Sequence, residues 1–141
     1  MPETPGSGTS APREVAEAMY DAMLRSDRDT LTAITSPEIR IRVTDALPYG
    51  GTYSGLAGFA AFFKKTFDLI ESRIEFERLF DAGGQVVAVG RTKGTGRESG
   101  QPFDSAIVHV FTVEDGTIVG FDAYVEDGPI TTAIEGTGAP D

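Results

Sequence analysis

The feature that most constrains this chain is a run of four strand-like segments, joined by short turns, in its second half. Apolar residues alternate with polar ones along these segments, and the joining sequences DAGG, GTGRESG and EDG are rich in turn residues. Strands that follow one another through short turns must pair antiparallel. The sequence therefore predicts an antiparallel sheet made from residues 73–80, 85–95, 102–113 and 117–126.

The first half has a helical spacing instead. Val15, Met19 and Ala22 share one helical face in a segment predicted to run from Pro12 to Arg25, with Ser10 as its cap. A second helix is expected over residues 27–34, and a strand over 39–43, where Ile and Val alternate with Arg. The third helix follows Ser54, with the stripe Leu56, Phe59, Phe63, Phe67 and Ile70. The fold class is thus α+β, a strongly bent antiparallel sheet packed against three N-terminal helices.

Length and composition predict one domain over residues 11–133, with a disordered leader at 1–10 and a disordered tail at 134–141. The net charge of −10 argues against nucleic-acid and anionic-membrane partners. No secretory signal and no apolar run of about 20 residues is visible, so a cytoplasmic location is expected.

Composition also limits the cofactors. The chain has no cysteine and one histidine, which makes a metal site improbable and excludes a cysteine nucleophile. The glycines near residue 50 fit neither of the common phosphate-binding motifs. No cofactor and no metal are therefore expected.

The turn of the last hairpin decides which side chains face inward, because a shift of one residue sends each to the opposite face. A two-residue turn at residues 115–116 places His109 across from Asp122, as an acid–base pair. A three-residue turn at 114–116 places His109 across from Phe121 and gives a nearly all-apolar inner face. The second register is preferred, with Val108, Val110 and Tyr124 on the outer face.

Two stretches carry a resemblance to a known family: ALPYGGTYSGLAGFAAFF and IVHVFTVEDGTIVGFDAYVED. Over about residues 12–130 the chain resembles the SnoaL-like polyketide cyclase and ketosteroid isomerase group of the nuclear-transport-factor-2-like superfamily. The resemblance implies a cone-shaped, cystatin-like fold with a deep apolar pocket, cofactor-free chemistry and a homodimer formed through the outer sheet face.

It also implies roles for particular residues. His109 and Tyr20 match positions whose side chains donate hydrogen bonds to a developing enolate oxygen, and Asp45 is the one candidate for the general base. The function implied is an isomerase, cyclase or dehydratase acting on a small hydrophobic carbonyl compound such as a polyketide, terpenoid or steroid-like molecule. A non-catalytic module that binds a hydrophobic small molecule is the alternative. The residues expected to contact the substrate are Tyr53, Phe63, Phe67, Ile107, Phe111 and Phe121.

Overall fold

A computed structural model describes residues 11–136 of the chain. The elements are α1 (Pro12–Arg25), α2 (Arg28–Ala33), β1 (Thr35–Val43), β2 (Gly51–Ser54), α3 (Gly55–Leu69), β3 (Ile70–Ala82), β4 (Gln85–Gly96), β5 (Pro102–Glu114), β6 (Thr117–Val125) and α4 (Asp127–Glu135). The predicted leader at 1–10, its cap Ser10, and residues 137–141 of the predicted tail lie outside the described range.

The ends of the first two helices are explained by the residues found there. Pro12 occupies the first turn of α1, where its missing N–H costs nothing, and Ser26 ends the helix in the left-handed region with φ of 55°. Asp27 then caps α2, its carboxylate accepting a hydrogen bond from the backbone N–H of Thr30 at 3.1 Å. One face of α1 is buried against the sheet through Val15, Ala16, Met19 and Ala22.

The six strands form one sheet in the order β2-β1-β6-β5-β4-β3. Every neighbouring pair is antiparallel except β1 and β6, which run parallel. Parallel neighbours need a long connection, and here the intervening chain from β2 to β5 supplies it. The predicted α+β architecture is confirmed, with this one parallel pair added.

The last hairpin combines features of both predicted registers. Asp115 and Gly116 form a two-residue turn, with φ of 51° and 78°, so the preferred three-residue turn is wrong. An extra residue, Val119, then interrupts the pairing of β6 with β5 as a bulge, and His109 lies across from Ala123. The bulge restores the expected inner face beyond it, so no pairing of His109 with Asp122 forms.

Two glycines on β4 allow β3 to fold closely over it. A Cβ atom at Gly94 would lie 2.7 Å from the Cα of Ser72, and one at Gly90 would lie 2.9 Å from the Cα of Phe76. The pairing of β3 with β4 also shifts between Phe76 and Arg78. Bare backbone on one strand and an irregularity on the other together let the sheet curl around its concave face.

The sequence pattern did not predict α4. Ile130 and Ala133 of this helix are buried, and the side-chain amide of Gln101 donates to the carbonyl oxygen of Gly136 at 3.2 Å. The helix extends through Glu135, two residues into the segment expected to be tail. No helix between residues 11 and 136 is long and apolar enough to cross a membrane.

Candidate functional site

A cavity of about 70 Å³ lies between the concave face of the sheet and helices α1 and α3. Most of its lining is apolar, from Met19 on α1, Phe62, Phe63 and Phe67 on α3, and the inner faces of β1, β3, β5 and β6. The polar side chains that line it are Tyr49, Thr66, Ser72, Thr92 and His109. No aspartate or glutamate among residues 11–136 does so.

His109 lines this cavity and is hydrogen-bonded to Tyr20, which lies outside the lining. The hydroxyl of Tyr20, from α1, lies 2.6 Å from Nδ1 of His109, on β5. The imidazole is 6% exposed and packs edge-on against Phe121, with ring centroids 4.8 Å apart. Phe76 packs on the other side of Tyr20, with ring centroids at 4.0 Å.

Burial keeps both members of this pair neutral. Desolvation lowers the pKa of His109 to about 3, from an ordinary value of 6.5, because the charged imidazolium loses its hydration. The same effect raises the pKa of Tyr20 above its ordinary value. Across the physiological range the site therefore presents an uncharged imidazole and an uncharged phenol.

The hydrogen bond also favours one position for the imidazole proton. If Nδ1–H donated to Tyr20, the tyrosine O–H would itself lack an acceptor among residues 11–136. Donation from the phenol to Nδ1 satisfies both groups and places the imidazole proton on Nε2. Nε2 has no hydrogen-bond partner among residues 11–136. The unpaired polar atoms that are completely enclosed are the hydroxyls of Thr35, Ser105 and Thr131, so Nε2 is not one of them. An N–H donor on His109 is thus open to the cavity.

The structure places Asp45, the predicted general base, away from this cavity. The residue is exposed and lines neither this cavity nor the neighbouring groove. After β1 the chain turns through a backbone hydrogen bond from Leu47 to Thr44, and the buried residues of the loop are Leu47 and Tyr49. Burial of these larger apolar groups leaves Asp45 in solvent.

The predicted substrate contacts divide into two groups. Phe63, Phe67, Ile107 and Phe121 line the cavity. Tyr53 and Phe111 do not. The hydroxyl of Tyr53 donates to the carbonyl oxygen of Tyr49 at 2.7 Å, which holds the loop before α3. Phe111 is fully buried behind the pair, with its ring edge-on to Tyr20 at 5.2 Å.

Several lining residues were missed by the sequence reasoning. Tyr49 is 5% exposed, and burial raises the pKa of its phenol above the ordinary value. Thr92 follows Val86, Ala88 and Gly90 at alternate positions of β4, so its inward direction could have been read from that alternation. Ser72 likewise alternates with Ile70, Ile74 and Phe76 in the regularly paired part of β3, so the same signal was present there.

A wider groove of about 630 Å³ opens beside the cavity, between α2, the end of α1 and α3. Met23, Phe63 and Phe67 line both spaces, so these three side chains form the boundary between them. We call this boundary the throat and the wider space the outer groove. Within the described part of the chain, two basic residues, Arg28 and Lys64, and no acidic residue line the outer groove. Among residues 11–136 no three His, Asp or Glu side chains gather as metal ligands would.

Solved structures similar to this one share its fold over most of their length. An NTF2-like protein from Burkholderia thailandensis E264 is 26% identical with a TM-score of 0.82, covering 89% of this chain and 98% of that one. A proposed SnoaL-like polyketide cyclase from Jannaschia sp. CCS1 is 20% identical with a TM-score of 0.79, covering 99% and 100%. TerC, co-crystallised with polyporic acid, is 21% identical with a TM-score of 0.81, covering 89% and 99%.

Sequence comparison gives the family directly. No curated protein sequence matches this chain significantly. A family model described as SnoaL-like domain matches residues 16–121, a span that includes most of α1, the sheet up to Phe121 and both members of the His109–Tyr20 pair. The chain is a member of the SnoaL-like domain family, with an NTF2-like fold.

Proposed function

We propose that the protein is a cofactor-free enzyme of the isomerase, cyclase or dehydratase kind, acting on a small hydrophobic carbonyl compound. The observation that carries the proposal is the neutral His109–Tyr20 pair at the wall of an apolar cavity. The alternative is a module that binds such a compound without changing it. The absence of a carboxylate from the cavity lining favours this alternative, and the experiment below separates the two.

The pair suits a substrate oxygen that gains negative charge during reaction. Nε2–H of His109 is held in place by the hydrogen bond from Tyr20 to Nδ1, so it can donate without reorganising. In an apolar site such a donor stabilises an oxyanion more than water would. Because burial lowers the pKa of His109 to about 3, the imidazole acts as a donor and is a poor proton acceptor.

The substrate must supply the remaining driving force for proton loss. No carboxylate among residues 11–136 lines the cavity or the outer groove, so the proposed step transfers the proton from carbon to a water molecule next to the substrate. This route is fast only for a C–H bond already acidified by the carbonyl and by a second unsaturated group. The proposed chemistry is then enolisation, with the enolate oxygen held by His109 and the carbon free to be reprotonated or to attack a second carbonyl.

Proteins of the same fold support an organic ligand of this type. The Jannaschia protein carries the description of a polyketide cyclase, and TerC was crystallised with polyporic acid. The inner cavity of about 70 Å³ accepts only the reacting end of such a molecule, since ligand sites usually measure about 300–1,000 Å³.

The test is proton–deuterium exchange of 2-tetralone in D₂O, followed by ¹H NMR. The C–H bonds between the carbonyl and the aromatic ring of this apolar ketone are doubly activated. An enzyme of the proposed kind increases their exchange rate in a saturable manner. Saturable binding of 2-tetralone with exchange no faster than in buffer contradicts the enzyme and supports the binding module.

We also propose a homodimer formed through the outer sheet face. Val87 and Val89 pair there with Val110 and Val108, and Tyr124 beside them is 56% exposed. Charged pairs such as Arg42 with Asp122 at 2.7 Å border this apolar strip. Apolar strips with polar borders are typical of protein interfaces.

The dimer predicts a specific response to one substitution. Tyr124→Glu is expected to convert a dimer into a monomer of 15.0 kDa in light scattering, because it places a charge in the apolar strip. Leu24→Glu is the matched control, since Leu24 is 74% exposed on α1 and lies outside this face. A monomeric wild-type protein, or dissociation caused equally by both substitutions, contradicts the proposed interface.

A further inference from the structure

We infer that the substrate is an elongated apolar molecule with an anionic group at the end opposite its reacting oxygen, and that Arg28 and Lys64 receive this group. The inference rests on the proposed function and adds the class of substrate. It follows from the shared wall of the two spaces, from their sizes and from the charges that line them.

The cavity and the outer groove adjoin along the throat. Met23 from α1 and Phe63 and Phe67 from α3 belong to the walls of both. The rings of Phe63 and Phe67 lie at 19° to each other, with centroids 6.1 Å apart. Aromatic side chains on this shared wall offer apolar surface to the middle of a ligand that occupies both spaces.

The sizes of the two spaces indicate which part of the ligand each of them can hold. About 70 Å³ beside His109 holds a carbonyl and the atoms next to it, whereas about 630 Å³ in the outer groove holds a body of several rings. A ligand of several rings that brings an oxygen to Nε2 of His109 must therefore keep most of its mass outside the inner cavity, and the adjoining outer groove has the size to hold it. The groove then determines which substrates bind.

The charges that line the outer groove also indicate which end of the ligand it holds. The chain carries 22 acidic and 12 basic residues, yet the lining of the outer groove includes Arg28 and Lys64 and no acidic residue. Arg28 makes no salt bridge with residues 11–136, and Lys64 pairs with exposed Asp68 at 3.0 Å. An acidic protein that presents only positive charge in its groove is suited to an anionic ligand.

The inner cavity, in contrast, disfavours a charged group. Its lining has no cationic side chain, and burial holds His109 neutral. Burying an unpaired carboxylate or sulfonate there would cost its hydration without compensation. The anionic group must remain in the outer groove, which orients the ligand with its uncharged oxygen toward His109.

Two fluorescent probes that differ only by a charge test this inference. 8-Anilinonaphthalene-1-sulfonate and N-phenyl-1-naphthylamine have the same ring system, and only the first carries a sulfonate. The double variant Arg28→Gln/Lys64→Met is expected to weaken binding of the sulfonate about tenfold and to leave the uncharged probe within about twofold. Added salt should weaken binding of the sulfonate alone.

Matched variants test whether the loss of sulfonate binding comes from the groove residues themselves. Lys64→Met alone should weaken binding of the sulfonate, whereas Lys65→Met, which makes the same change in net charge one residue away at a side chain that lines neither space, should leave both probes unaffected. Ala60→Trp fills the groove and should weaken both probes together. Equal losses for the two probes in the double variant, or an equal loss in Lys65→Met and Lys64→Met, overturn the inference.

The result also separates this inference from the proposed function. If the protein catalyses exchange of 2-tetralone but the double variant weakens both probes equally, only the anionic nature of the substrate is contradicted. If the double variant binds the sulfonate probe more weakly but the wild type does not exchange 2-tetralone, the anion-binding groove is supported and the proposed enzyme activity is contradicted. The anionic molecule would then be a ligand and not a substrate.

Discussion

The His109→Phe variant is expected to catalyse proton exchange of 2-tetralone about 100-fold more slowly than the wild type. Phenylalanine occupies a volume close to that of histidine and suits the surrounding rings of Phe76, Phe111 and Phe121, so the fold should persist. What disappears is the Nε2–H donor that holds the developing enolate oxygen. The measurement is the exchange rate at saturating ketone, with circular dichroism to confirm the native fold.

Two further variants separate donation from packing. Tyr20→Phe removes the group that fixes the imidazole tautomer while His109 keeps its ring, and the rate should fall by about tenfold. His109→Gln keeps a side-chain N–H and should retain more activity than His109→Phe. An exchange rate for His109→Phe equal to that of the wild type contradicts the assigned role.

The Gly94→Ala variant is expected to lose about 3 kcal/mol of unfolding free energy, which is a large effect for one methyl group. The added Cβ would lie 2.7 Å from the Cα of Ser72, a distance that only movement of the β3 backbone can relieve. Because β3 and β4 form the curled edge of the sheet, that movement also opens the cavity wall at Ser72 and Thr92. Urea unfolding measures the loss.

Gly128→Ala provides the control for this substitution. A Cβ at Gly128 meets no atom within 4 Å, and the residue lies in the first turn of α4, where alanine favours the helix. This variant should be neutral or slightly more stable than the wild type. A neutral Gly94→Ala would show that β3 is free to move away from β4.

The elements that the sequence predicted well are those whose signals are local. The stripe of α1 and the Asp27 cap of α2 come from residues a few positions apart, and the structure has both helices where they were expected. The parallel pairing of β1 with β6 depends on residues about 80 positions apart, and no local pattern encodes it. The missed helix α4 is short, and its buried residues Ile130 and Ala133 gain their burial only from the folded sheet.

The candidate site was predictable to a similar extent. The inward direction of His109 followed from strand alternation, although the bulge at Val119 that preserves it did not. The proximity of His109 to Tyr20 came from the family resemblance, since the two residues are 89 positions apart. The role of Asp45 also came from the family resemblance, through its place after the first strand, whereas in the structure Leu47 and Tyr49 are the buried residues of that loop.

The state of the His109 imidazole tests the central claim most directly, and ¹⁵N NMR of the untagged protein measures it. The chain has one histidine, so its ring nitrogens give unambiguous signals. Because burial lowers the pKa of His109 to about 3, a fall from pH 7 to pH 5 should leave the native imidazole neutral, with the proton on Nε2 and none on Nδ1. An ordinary histidine would become protonated around pH 6.5 over the same range. An imidazolium that forms near pH 6.5, or a proton found on Nδ1 at pH 7, would contradict the neutral donor pair and the oxyanion role proposed for it.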